Sequence, residues 1–112
     1  MSRLTSHVLD VSLGRPARGL TVRLDVADDG GWRPLGGAIT DADGRAGDLL
    51  AGAALEAGVY RLIFETAGYF AASGRTCFYP RVEVTFEVTA PGEHHHVPLL
   101  LAPYGYSTYR GS

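Results

Sequence analysis

The sequence predicts an all-β protein: an antiparallel β-sandwich of seven or eight short strands with at most one short helix. Three observations predict it. Apolar and polar residues alternate with period two in several segments. Turn signals recur about every 8–12 residues, as they do in sandwiches and barrels. Only one stretch reads as helix, and it is short. A chain of 112 residues fits one domain, expected over residues 1–112, with one modest core. Such a core leaves little room for a deep private pocket, so a substrate site would borrow surface from a second subunit.

The elements follow in order. In "LTSHVLDV", Thr5, His7, Leu9 and Val11 share one face and Leu4, Ser6, Val8 and Asp10 the other. Neither face is cleanly polar, so alternation leaves the direction of His7 open. "SLGRPARG" is a loop. "LTVRLDVA" turns Leu20, Val22, Leu24 and Val26 to one side, with Thr21, Arg23 and Asp25 opposite. "DDGG" at 28–31 closes a hairpin onto a strand around 32–39. "DADG" at 41–44 is a second turn, with aspartates that bond nearby backbone. "GVYRLIFET" aligns Tyr60, Leu62 and Phe64. Thr66 to Gly74 is the helix, with Gly74 as its stop. "VEVTFEV" aligns Val82, Val84, Phe86 and Val88 against Glu83, Thr85 and Glu87. "APGE" at 90–93 turns into the last apolar run.

Composition narrows the function classes. Apolar residues make up 46% and charged residues 20%, with a formal net charge of −2. That balance offers no electrostatic footprint for nucleic acid or an anionic membrane. No apolar run approaches the roughly 18 residues that span a bilayer, and the start has no apolar leader. The single Cys77 allows no intrachain disulfide and reads as a partly buried small apolar residue. A cytoplasmic protein is expected.

The candidate chemistry lies in four histidines and the tail. Along "HHHVPLLLA", His94, His96, Pro98 and Leu100 share one face, and His95, Val97, Leu99 and Leu101 share the other, which reads as the core face. An H-x-H pair with His7 as a third ligand falls short of a closed metal site, and no metal is expected. There is no nucleophile elbow, dinucleotide fingerprint or P-loop. Arg45 follows the "DADG" turn, where a planar fork can grip a planar ligand. "YGYSTYRGS" holds Tyr104, Tyr106 and Tyr109. Three rings are costly to leave in water, so this end is expected to dock as a strand. Pro98 in mid-strand argues on local rules for an edge strand or a bulge.

"SHVLDVSLGRPARGL", "DADGR" and "HHVPLLLAPYGYSTYRGS" resemble the 5-hydroxyisourate hydrolases, the enzymatic branch of the transthyretin-like family. The resemblance covers essentially the whole chain. "YRGS" is its most specific part, because the hormone-carrying transthyretins lack it. The resemblance implies a transthyretin-like sandwich of two four-stranded sheets with one short helix. It implies a homotetramer, a dimer of dimers whose channel holds the sites at the dimer–dimer interface. It places Pro98 inside a sheet. It implies no cofactor, and hydrolysis of 5-hydroxyisourate to 2-oxo-4-hydroxy-4-carboxy-5-ureidoimidazoline in urate degradation. Carried over by position, the catalytic residues are His7, Arg45, His96 and Ser112. The substrate-binding residues are His7, Arg45, Tyr109, Arg110 and Gly111. His7 and His96, one from each of two places along the channel wall, would activate water. Arg45 would bind polarised oxygens, and the Ser112 carboxylate would tune the histidines. His94 matches a frequent family histidine without an assigned role. His95 stands where the family often has tyrosine, and Ala102 departs from the usual serine. The competing reading is a non-enzymatic small-molecule carrier of the same fold.

Overall fold

The computed structural model describes residues 3–112. Alternation becomes two layers. The strands are β1 (Leu4–Asp10), β2 (Arg15–Pro16), β3 (Thr21–Asp28), β4 (Gly31–Ile39), β5 (Arg45–Ala46), β6 (Gly58–Phe64), β7 (Val82–Val88), β8 (His95–Ala102) and β9 (Gly105–Thr108). Helix α1 (Thr66–Ala71) follows β6. One sheet runs β4–β3–β6–β7 and is antiparallel throughout. In the other, β8 lies between β1 and β9. The short β2 and β5 pair with successive parts of β1's remaining edge, β2 at Leu9 and Asp10 and β5 at Ser6 and His7. Together they fill one strand position, so this layer also has four positions.

One pairing differs from the antiparallel expectation: β1 and β8 run parallel. Alternation decides which face a residue takes but not the direction of its strand. A hairpin forces antiparallel pairing, and most of the chain separates these two strands, so no hairpin joins them.

The core is where the alternation placed it. Leu20, Val22 and Leu24 of the β3 segment, Tyr60, Leu62 and Phe64 of β6, and Val97, Leu99 and Leu101 of β8 are buried between the sheets. Val82 and Val88 close the β7 side, with Val84 and Phe86 partly covered. Leu49 and Leu50 join this core from the connection between β5 and β6, where no periodicity marks them. Cys77 packs half-buried at its margin.

The helix is shorter than predicted and ends at Ala71. Its stop lies where expected. Gly74 has φ 70°, its N–H donates to the Ala71 carbonyl, and the Arg75 N–H donates to the Phe70 carbonyl, both at 3.0 Å. This Schellman closure satisfies the last carbonyls. The two-residue loop of the β3–β4 hairpin also falls at the predicted turn.

A buried carboxylate ties the helix to the site-bearing sheet. Asp10, at the end of β1, is fully buried. Its Oδ2 accepts from Arg75 Nη2 at 2.9 Å and from the Tyr69 hydroxyl at 2.7 Å. Its Oδ1 accepts from the Ser12 hydroxyl at 2.6 Å. Burial alone pushes this carboxyl up, but the bonds from Arg75, Ser12 and Tyr69 outweigh it and hold it at about 2. The folded value lies below the ordinary 3.8, so the contribution is full above about pH 4 and lost as pH falls toward 2. Arg75→Met leaves the charge buried with one cation fewer. It should lower unfolding free energy by about 2–3 kcal/mol at pH 7, read as a lower urea midpoint at unchanged slope. The difference between the two proteins should shrink below pH 3.

Candidate active site

β1 and β8 share one outward face. Their parallel register sets Thr5 beside His96 and His7 beside Pro98. On β1, Leu4, Ser6, Val8 and Asp10 are buried, so Thr5, His7 and Leu9 face out. This settles the direction of His7. On β8, His95 turns into the core side and is only 5% exposed. Its Nδ1–H donates to the Glu93 carbonyl at 3.0 Å. His96 is half-buried on the outer face. The two candidate histidines therefore lie on neighbouring strands of one subunit, two register positions apart. Two places on a channel wall are not needed to bring them together.

Pro98 is accommodated by a gap. The β8–β9 ladder stops at Leu99 opposite Thr108. The chain returns to β8 only at an isolated bridge between Gly111 and His96, where the Gly111 N–H donates to the His96 carbonyl at 2.8 Å. Between these points Tyr109 and Arg110 leave the ladder. Pro98 lies two residues from His96, so its nitrogen faces the same side, and the missing N–H falls in the gap. Its carbonyl still accepts, from the Thr108 hydroxyl at 2.7 Å.

That return sets the tail against the site. A Cβ on Gly111 would stand 2.6 Å from His96 Cδ2, nearer than side chains approach one another. Glycine is what lets the backbone pass beside the imidazole, and Ser112 follows it directly.

Arg45 is placed by its turn. Asp41 Oδ1 accepts from the backbone N–H of Asp43 at 2.9 Å and of Arg45 at 3.0 Å. The bond from the Arg45 N–H, with that from Asp43, holds the Asp41 carboxyl below its ordinary range. The closed turn starts β5, whose Arg45 pairs with His7. The turn also holds His7: Nε2–H donates to the Asp43 carbonyl at 2.8 Å. A carbonyl only accepts, so His7 carries its proton on Nε2 and offers Nδ1 as the free nitrogen when neutral.

Thr5, Arg45, Gly47, His94, His96 and Ser112 line one cleft of about 250 Å³. The Thr5 hydroxyl lies 2.8 Å from His94 Nε2 and 2.8 Å from His96 Nδ1. Sequence reasoning left Thr5 without a role and His94 undecided. Burial lowers the His96 value below the ordinary 6.5, and repulsion from His94, Arg45 and His7 lowers it further. His96 is then neutral at neutral pH and able to accept a proton.

Tyr109 and Arg110 are not brought to this cleft within the chain. They line a separate hollow of about 220 Å³ with Val84, Phe86, His95 and Val97. Arg110 donates to Glu93 Oε1 at 3.1 Å. The tail docks through its backbone, as expected, and Tyr106 packs edge-on against Tyr79, but two of its rings stay largely in water: Tyr104 is 70% exposed and Tyr109 58%. A larger open cleft of about 710 Å³, lined by Arg3, Asp48, Leu50, Leu55 and Pro91 among others, holds no histidine. Among the described residues, no group of three or more His, Cys, Asp or Glu side chains is placed to hold a metal.

Known proteins resemble this chain over nearly its whole length. A 5-hydroxyisourate hydrolase of Salmonella dublin is 46% identical over 109 residues, covering 97% of this chain and 80% of the relative. The solved 5-hydroxyisourate hydrolase of Klebsiella pneumoniae superposes with a TM-score of 0.85 at 41% identity, covering 99% of this chain and 100% of that one. Sea bream transthyretin, solved in complex with thyroxine, superposes at 0.91 with 33% identity, covering 98% and 95%. The family model described as HIUase/Transthyretin matches residues 4–111, and the chain belongs to that family.

Proposed function

We propose that the protein hydrolyses 5-hydroxyisourate to 2-oxo-4-hydroxy-4-carboxy-5-ureidoimidazoline, a step of urate degradation. The observation that carries this reading is the meeting of His96, Arg45 and Ser112 in one cleft, with His7 beside Arg45. The named hydrolase relatives, at 46% and 41% identity, support it.

Opening the ring is acyl hydrolysis. It needs a deprotonated water, charge stabilisation at the carbonyl oxygen and a proton for the departing nitrogen. His96, kept neutral by its surroundings, takes the proton from water. His7, with Nδ1 free, accepts a hydrogen bond from that water and orients it, and His96 returns the proton to the departing nitrogen. Arg45 stabilises the developing oxyanion with its guanidinium fork. Ser112 closes the cleft beside His96.

The cleft is shallow and open, and the same reading extends to a homotetramer with the sites at subunit interfaces. Support for it is the exposure of the large apolar side chains Ile39, Phe78, Tyr104 and Tyr109 and the outer positions of β7 and β9 in their sheets. There Tyr109, Arg110 and Gly111 would serve substrate binding across the interface. To do so Arg110 gives up an exposed ion pair, which is worth little, and a long bond to the His94 carbonyl. Light scattering after size exclusion should give four times the chain mass. A monomer would end this extension.

His7→Asn and His96→Asn should each lower kcat roughly 10²–10⁴-fold with the oligomer intact, measured as decay of freshly generated substrate in the ultraviolet. Near-normal turnover in both would overturn the roles. Because His96 is held below the ordinary 6.5, the acid limb of kcat/KM that it sets should have its midpoint below that value. Removing residues 109–112 separates enzyme from carrier. A hydrolase loses ring opening, whereas a carrier keeps its ligand affinity.

A further inference from the structure

We propose that Thr5 and His94 form, with His96, a hydroxyl-bridged relay in which Thr5 is the positioning residue that fixes which nitrogen of His96 acts. The inference rests on the hydrolase reading and deepens it. Thr5 and His96 are register partners on parallel strands, and His94 lies two residues before His96 on the same face. The centroids of the two rings are 6.3 Å apart. The Thr5 hydroxyl sits between them, 2.8 Å from each nearest nitrogen.

A hydroxyl has one proton to give. It therefore cannot donate to both rings, and at least one ring nitrogen must be the donor. A His96 that serves as base needs Nε2 free, which puts its proton on Nδ1. The chain is then His96 Nδ1–H to Thr5 Oγ1, and Thr5 Oγ1–H to His94 Nε2. Nothing has to rearrange when His96 Nε2 takes the proton from water, because the resulting imidazolium still donates through Nδ1. His94 Nε2 is the terminal acceptor. This is the logic of a base held in its working tautomer by a third group, with a hydroxyl and an imidazole replacing the usual carboxylate. It gives the middle residue and the first histidine of the cleft a function that the family resemblance did not.

The test uses the full-length protein. Thr5→Val keeps the shape and removes the hydroxyl; Thr5→Ser keeps the hydroxyl. Thr5→Val should lower kcat roughly 10–10²-fold, a part of what a general base supplies, with KM within about threefold. Thr5→Ser should recover most of the loss. His94→Ala should fall as Thr5→Val does, and His94→Gln, whose side-chain oxygen can accept from Thr5, should recover. The Thr5→Val/His94→Ala double variant should be no slower than the slower single one, because both break one chain. Nitrogen-15 chemical shifts should show neutral wild-type His96 as the Nδ1–H tautomer and a changed ratio in Thr5→Val. Equal turnover in wild type and Thr5→Val, a Thr5→Ser protein as slow as Thr5→Val, or an unchanged tautomer would each overturn the relay while leaving the hydrolase reading intact. A wild-type protein that fails to open the ring would overturn the functional reading, and the tautomer comparison would still decide the relay.

Discussion

The parallel pairing of β1 with β8 is the constraint on which the rest depends. It joins segments separated by most of the chain, and so it bears a large loop-closure cost. That cost is offset by burying Leu4 and Val8 against Val97, Leu99 and Leu101. The same register that aligns those apolar side chains inward aligns Thr5 and His7 with His96 outward. A slip of one residue would send His96 into the core and His95 to the surface. Core packing thus fixes the site's geometry more strictly than any contact within the site.

The fold alone does not separate an enzyme from a carrier. Superposition on a transthyretin bound to thyroxine is at least as close as on a hydrolase, 0.91 against 0.85. A backbone match reports the two sheets and their order, which both proteins need. What distinguishes them is the chemistry on the outer face of one sheet and the tail that returns to it. Here that face carries three ring nitrogens within hydrogen-bond reach of a hydroxyl or a carbonyl, and a glycine that allows the backbone to run beside the His96 ring. A channel that only has to hold an apolar ligand has no use for such an arrangement.

Much of this was legible in the sequence, and the limits have physical causes. Alternation placed Leu20, Tyr60, Leu99 and their partners inside, because a half-buried strand has no other way to satisfy both its faces. It turned His95 inward and His96 outward for the same reason. It could not orient His7, because Ser6 and Asp10 on the opposite face are polar yet buried; each is satisfied by specific bonds, to the Val97 carbonyl and from Arg75 among others. Leu49 and Leu50 escaped notice because a loop residue can be buried without any period. The role of Thr5 was invisible for a different reason. It depends on the register of two strands at opposite ends of the chain, and alternation carries no information about register between distant strands.

Pro98 shows how a local conflict becomes part of the site. Proline in an inner strand removes a ladder donor, which is normally costly in a buried sheet. In this protein the loss falls opposite Tyr109 and Arg110, where the last segment has already left β8. The two facts require each other. Had Pro98 an N–H, an unbroken ladder from Thr108 to Gly111 would be favoured, and Tyr109 and Arg110 would be held in the alternation of a regular strand. With the donor gone, those two residues are released from the sheet while the Gly111 N–H still closes on the His96 carbonyl. The proline therefore leaves Tyr109 and Arg110 outside the hydrogen-bonded ladder without freeing the residue that packs against the imidazole.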